Sequence, residues 1–141
     1  MEIKYKKLDN FISAPVRAHS TDAGADVFAT EDKVLGPNER YAMPLGFAMQ
    51  VPEGYMAMVL TKSGTFKKGV FALEPPVDCG YTGEAHALLH NVNDVEYKIS
   101  KGDKVAQLIV IPIATPDFVE VESLEETERG DGAFGSTGDK L

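Results

Sequence analysis

Pro52-Glu53-Gly54-Tyr55-Met56-Ala57-Met58-Val59-Leu60 is a turn followed by a short apolar run, and it sets the reading of the whole chain. A run of this length, bounded by proline and glycine, suits a buried strand better than a helix. The same punctuation recurs outward from it. Val105 to Ile113 is apolar and ends among Pro112 and Pro116, and Phe118-Val119-Glu120-Val121-Glu122 alternates with period two. Thirteen glycines and eight prolines are spread through 141 residues, with no long segment of helical period. The pattern predicts an all-β sandwich or barrel of short strands, with one helical turn after Ser63.

The chain is long enough for one domain with a core of its own. Its net charge is −8, from 22 acids against 14 bases. An acidic surface argues against binding nucleic-acid polymer, which depends on basic patches that release counterions. It leaves room for a small phosphorylated ligand, which needs only a few local cations and amides. A single cysteine, Cys79, excludes an intramolecular disulfide framework and fits a reducing compartment. No apolar run approaches the roughly 18 residues of a membrane span, and no signal-like segment opens the chain. The expected setting is cytoplasmic, without a membrane partner.

Four internal segments carry chemistry-bearing residues. In Val77-Asp78-Cys79-Gly80-Tyr81-Thr82-Gly83-Glu84, two glycines around Tyr81 predict a tight hairpin. Asp78 is there either a turn former or a carboxylate that deprotonates a water, with Tyr81 a flat wall for a sugar or base. Thr61-Lys62-Ser63-Gly64-Thr65 ends an apolar strand and offers hydroxyl, amide and ammonium groups to an anion, or is a solvated turn. In Ser20-Thr21-Asp22-Ala23-Gly24-Ala25-Asp26-Val27, a polar turn enters a strand, and Asp26 is a structural acid or a site carboxylate. Gly102-Asp103-Lys104-Val105-Ala106-Gln107-Leu108 places a glutamine inside an apolar run. The Gln107 amide needs a partner, either backbone or ligand. His86 and His90 share a strand face, but no His/Cys spacing fits a zinc site, and Cys79 reads as a small hydrophobe.

The tail, Arg129-Gly130-Asp131-Gly132-Ala133-Phe134-Gly135-Ser136-Thr137-Gly138 followed by Asp139-Lys140-Leu141, is too glycine-rich to build a packed element. It does combine a cation, an aromatic ring and adjacent hydroxyls, which suits a phosphate chain beside a flat ring. Its Gly-x-Gly-x-x-Gly is not a dinucleotide fingerprint, because too few residues follow to build the helix. The acidic stretch from Glu120 to Glu128 could carry this arm away from its own body, and a symmetric neighbour is the natural docking partner.

Taken in order, the segments at 20–27, 61–65, 76–84, 102–108 and 129–138 resemble the five motifs of the trimeric dUTPase family (deoxyuridine triphosphate pyrophosphatases). The resemblance implies a distorted jelly-roll or β-clip barrel over residues 1–128, and a flexible arm, 129–141, closing a neighbour's active site. It implies a homotrimer that hydrolyses dUTP to dUMP and pyrophosphate. That reaction limits uracil incorporation into DNA and supplies dUMP. Under it, Asp78 activates the water that attacks the α-phosphorus, and Tyr81 packs under the deoxyribose and excludes a 2′-hydroxyl. The backbone near Glu84, Ala85 and His86 reads the uracil edge. Lys62, Ser63 and Gly64 face the phosphates, Asp26 supports them, and Gln107 bonds phosphate and water. Arg129, Gly135, Ser136 and Thr137 close on the γ-phosphate while Phe134 covers the base. Mg2+ rides on the triphosphate through waters, with no direct protein ligand.

Three departures stand out. Lys62 replaces the usual arginine, Pro75-Pro76-Val77 replaces Gly-Val-Ile before the aspartate, and Ala133 replaces a second glycine before Phe134. The related dCTP deaminases need a glutamate about where Leu88 stands, so the resemblance gives no support to deamination. A regulatory protein that kept this fold, with a protein partner of its own, is the other alternative. Asp78 and an intact tail favour the enzyme.

Overall fold

The computed structural model describes residues 1–12, 14–73 and 75–140. Among them the chain forms nine strands and one short helix. The strands are β1 (Lys4–Lys7), β2 (Ala25–Phe28), β3 (Lys33–Leu35), β4 (Arg40–Gln50), β5 (Tyr55–Leu60), β6 (Val70–Leu73), β7 (Glu84–Asn91), β8 (Tyr97–Ile99) and β9 (Lys104–Pro112). Helix α1 (Ser63–Lys67) lies between β5 and β6, as the sequence predicts. All pairings are antiparallel. One sheet has the order β1-β4-β7-β6, a second β2-β9-β5, and a third pairs β3 with β8.

The expected period-two patterns hold where a strand has a neighbour. Along β7, Ala85, Ala87, Leu89 and Asn91 point inward while Glu84, His86, Leu88 and His90 alternate outward. Met43, Leu45, Phe47 and Met49 of β4 do the same, and they pack with Val27, Leu35, Val59 and Leu89 into one core. Each such side chain stabilises the fold by about 1.5–3 kcal/mol through burial. Asn91 is the fully buried polar exception. Its amide donates to the Leu35, Gly36 and Val95 carbonyls at 2.9–3.1 Å, fastening β7 to the chain around β3.

Proline at position 44 interrupts the β4–β7 ladder, and the register shifts between Pro44 and Ala48. Gly46 lies inside this irregularity at φ +75, with its carbonyl taken by the Leu8 and Asp9 amides. A Cβ there would stand 3.0 Å from both Asp9 and Thr30 side chains, so the site needs glycine for space as well as for backbone angle. The Gly46 N–H, freed from the ladder, donates to Glu84 Oε1 at 3.1 Å.

Three expectations need correction. Phe118 to Glu122 alternates but forms no strand. A strand exists only through pairing, and this stretch meets no partner strand within its own chain, leaving Phe118 96% exposed. The tight hairpin around Tyr81 is instead, over the described residues 75–83, a wide connection between the paired strands β6 and β7, with a local turn closed by Tyr81 N–H to the Asp78 carbonyl at 3.1 Å. Cys79, read as a small hydrophobe, is exposed because that turn carries it away from the core.

Candidate active site

The predicted residues fall into three groups. The first lines a pocket of about 240 Å³ formed by Val59, Pro75, Pro76, Val77, Asp78, Tyr81, Glu84, Ala85, His86 and Leu88. Val77 is held against β5 by reciprocal bonds with Ala57, at 2.7 and 3.0 Å, and this anchors the approach to Asp78. Asp78 itself is exposed. The Tyr81 hydroxyl donates to the Glu84 carbonyl at 2.8 Å. The ring lies so close over Gly83 that a Cβ there would meet the hydroxyl at 2.5 Å. Glycine at 83 therefore gives Tyr81 its place. The altered Pro75-Pro76-Val77 stretch forms one wall of this pocket.

The second group assembles where β2, β9 and β5 meet. Asp26 stands opposite Gln107, and Gln107 opposite Leu60. The chain then leaves β5 through Thr61 and Lys62 into α1. Thr61 fixes this exit: its hydroxyl accepts from Ala72 N–H at 2.9 Å and donates to the Ala72 carbonyl at 3.2 Å. Gln107 Nε2 donates to the Thr61 carbonyl at 3.0 Å, which supplies the backbone partner the sequence requires. Lys62 Nζ bonds Asp26 Oδ1, and Lys104 Nζ lies 2.9 Å from Asp26 Oδ2. Burial pushes the Asp26 carboxyl up, but the bonds from Lys104 and Lys62 outweigh it and hold the pKa below the ordinary aspartate value. Ser63 and Gly64 are exposed at the start of α1, whose first turn has no side-chain cap. Lys62, Gly64, Thr65, Lys68 and Lys104 rim a separate cavity of about 340 Å³.

The third group is the arm. Among the described residues, the last hydrogen bond tying this end of the chain to the body runs from Ile113 N–H to the Gly54 carbonyl, at 2.9 Å. Beyond it, among the described residues, hydrogen bonds are local: Arg129 Nε to the Gly132 carbonyl at 2.9 Å, and Gly130 N–H to Thr127 Oγ1 at 3.0 Å. Phe134 is fully exposed at φ +46, and Gly130, Gly135 and Gly138 all take positive φ. Arg129, Ser136 and Thr137 are exposed too. Leu141 lies outside the described residues.

One chain thus unites Asp78 with Tyr81, Glu84 and Ala85, and Asp26 with Lys62 and Gln107, but does not bring the arm to either. Two contributors escaped the sequence reading. Lys104 shares the Asp26 carboxylate because the β2–β9 register shifts between Val27 and Phe28, adding a residue to β9 and re-aiming the lysine. Gly24 makes room for Gln107: a Cβ on it would stand 2.2 Å from Gln107 Oε1. The glycine beside Asp26 was the available signal for a close approach. Among the described residues no three His, Cys, Asp or Glu side chains are grouped as a metal cage, and no helix is long and apolar enough to cross a membrane.

Comparison with known proteins bears on the family and the fold. A family model described as dUTPase matches residues 10–138. A deoxyuridine 5'-triphosphate nucleotidohydrolase from Gloeobacter violaceus is 40% identical over 143 residues, spanning 98% of this chain and 97% of its own. The Staphylococcus bacteriophage 80alpha dUTPase, solved with dUpNHpp, superposes with a TM-score of 0.93 at 30% identity, over 98% of this chain and 99% of that one. A mutant dUTPase of phage phi11 of S. aureus, described with a coordinated structural Mg(II) ion, superposes with a TM-score of 0.83 at 29% identity, over 89% of this chain and 100% of that one. The conserved length, the all-β framework and the ordered site segments lead to one conclusion: the chain belongs to the dUTPase family.

Proposed function

We propose that this chain hydrolyses dUTP to dUMP and pyrophosphate, with Asp78 as the general base. The observation that carries the reading is the shared pocket of Asp78, Tyr81, Glu84 and Ala85, which sets an exposed carboxylate beside an aromatic wall and a strand edge. Asp78 takes a proton from a water as its oxygen bonds to the α-phosphorus. The bond from that phosphorus to the bridging oxygen breaks, and pyrophosphate leaves. Tyr81 packs under the deoxyribose, and the backbone at Glu84, Ala85 and His86 reads the base.

Such a reaction needs in-line positioning and charge neutralisation more than covalent chemistry. Ser63 and Gly64 bond the phosphates from the open first turn of α1. Lys62 adds positive charge, Asp26 orients it, and Gln107 holds phosphate and water. Mg2+ enters as part of the substrate, bound to the triphosphate.

We further propose a homotrimer with a β-barrel body, 1–128, and an arm, 129–141, that serves a neighbour. Exposed Phe118, Leu124 and Phe134, with no bond back to their own body, support this. In the closed arm Arg129, Ser136 and Thr137 bond the γ-phosphate, Gly135 lets the backbone turn, and Phe134 covers the uracil. Closure excludes bulk water and adds donors where charge develops. Cys79, exposed and unpaired, suits a cytoplasmic setting. Pyrophosphate release from Mg2+ complexes of dUTP, dTTP, UTP and dCTP tests the reading. Turnover of dUTP alone is expected, with no ammonia from dCTP. Silence of the folded protein on dUTP would overturn it.

A further inference from the structure

The His86 side chain has no role in the reaction as described, where only its backbone serves the base, yet it lines the same pocket as Asp78 and Tyr81. His86 Nδ1 lies 3.0 Å from the Glu84 carbonyl oxygen. A carbonyl only accepts, so Nδ1 carries the proton and the neutral ring is fixed as the Nδ1–H tautomer. The same oxygen accepts the Tyr81 hydroxyl at 2.8 Å. A carbonyl oxygen has two lone pairs, and both are engaged. The Glu84 side chain is meanwhile tied to Gly46 N–H at 3.1 Å, inside the β4 irregularity. Three bonds therefore fix one residue at the very start of β7, where the strand edge meets the pocket.

We propose that His86 is a positioning residue for base recognition, acting through the Glu84 carbonyl. With Tyr81 it sets the plane of the Glu84–Ala85 peptide. It also withdraws that carbonyl from any ligand, so a base must be read by the other groups of this wall. The assignment rests on the hydrolase reading for the identity of the ligand. The geometry of the carbonyl stands without it. His86 needs no contact with the nucleotide for this role, and its Nδ1–H persists whether the ring is neutral or charged.

The test uses dUMP, dCMP and dTMP, whose binding requires no turnover, measured by calorimetry on the full-length protein. His86→Ala and His86→Phe both remove the donor, the second while keeping ring bulk. His86→Asn keeps an amide N–H at the position of Nδ1. The two donor-less variants are expected to bind dUMP about five-fold more weakly, the worth of one ordinary hydrogen bond. Their preference for dUMP over dCMP should narrow by a similar factor. His86→Asn should stay near wild type. Wild-type affinity and preference in both donor-less variants would overturn the proposal. So would an Asn variant as impaired as the Ala variant, or an imidazole 15N spectrum showing the Nε2–H tautomer in the wild-type protein. If wild-type protein bound dUMP but released no pyrophosphate from dUTP, the hydrolase reading would fail, while the variants would still decide the role of His86.

Discussion

Lys104 Nζ stands 2.9 Å from Asp26 Oδ2, while Lys62 occupies the other oxygen of the same carboxylate. Two cations on one acid leave a net positive charge at the junction of β2, β5 and β9. In the proposed reaction that is the sign a triphosphate requires, and it would offset the lack of an arginine fork at Lys62.

Asp26→Asn should therefore lower stability near neutral pH by about 2 kcal/mol, the scale of lost charge-assisted hydrogen bonds. The wild-type contribution has a definite pH window. Because the folded pKa is depressed, it is fully present above the unfolded aspartate value, near 4, and disappears as pH falls through the folded value. Urea midpoints measured from pH 7 down to pH 2.5 should converge for the two proteins at the acid end. Parallel curves would remove Asp26 from the linkage.

Replacing the proposed base should leave the pocket nearly intact. Asp78→Asn should reduce kcat by about 10²- to 10⁴-fold, the range spanned by general-base catalysis. Its affinity for dUpNHpp should change little, and its Tm should hold, because the Asp78 side chain is exposed. Calorimetry beside a pyrophosphate assay separates the two effects.

Truncation before Arg129 should cost about 10²-fold or more in kcat, on the scale of losing donors aimed at developing charge. No change in Tm is expected, since among the described residues the arm makes no hydrogen bond to its own body. A truncated protein of normal speed would refute arm closure.

Gly24→Ala tests the second group from behind. The added methyl would overlap Gln107 Oε1 at 2.2 Å and press on Gln107 Cβ at 3.1 Å, so rotation of the amide alone cannot relieve it. The amide should swing off the Thr61 carbonyl, with a stability loss of about 1–3 kcal/mol typical of overpacking. Activity should fall in step with Gln107→Ala, and the double variant should add little further loss.

Strands β5, β7 and β9 were legible because apolar runs between turn formers leave few other choices. Which strands meet was not. Asp26 and Gln107 are 81 positions apart, and only the antiparallel register brings them opposite. Strict alternation assigns Lys104 to the wrong side of β9, since a bulge leaves no trace in the residue pattern. The sequence pointed to the backbone at Glu84 as a ligand contact and left its side chain without a role. That side chain accepts from Gly46 N–H, a donor exposed at the irregularity in β4. The alternation at 118–122 misled for the opposite reason. It records a surface suited to pairing, and pairing needs a neighbour that the chain itself does not provide.

Among the described residues, no hydrogen bond or ion pair joins the arm to its body beyond the backbone itself. In the proposed trimer the arm's concentration at a neighbour's pocket would be set by tether length, at the millimolar level typical of short flexible links, and not by how much protein is present. Specific activity should stay level on dilution until subunits part, then collapse for all sites together. In mixed assemblies of the proposed trimer, each armless copy would silence one pocket that it does not own, so activity should fall in proportion to the share of truncated copies.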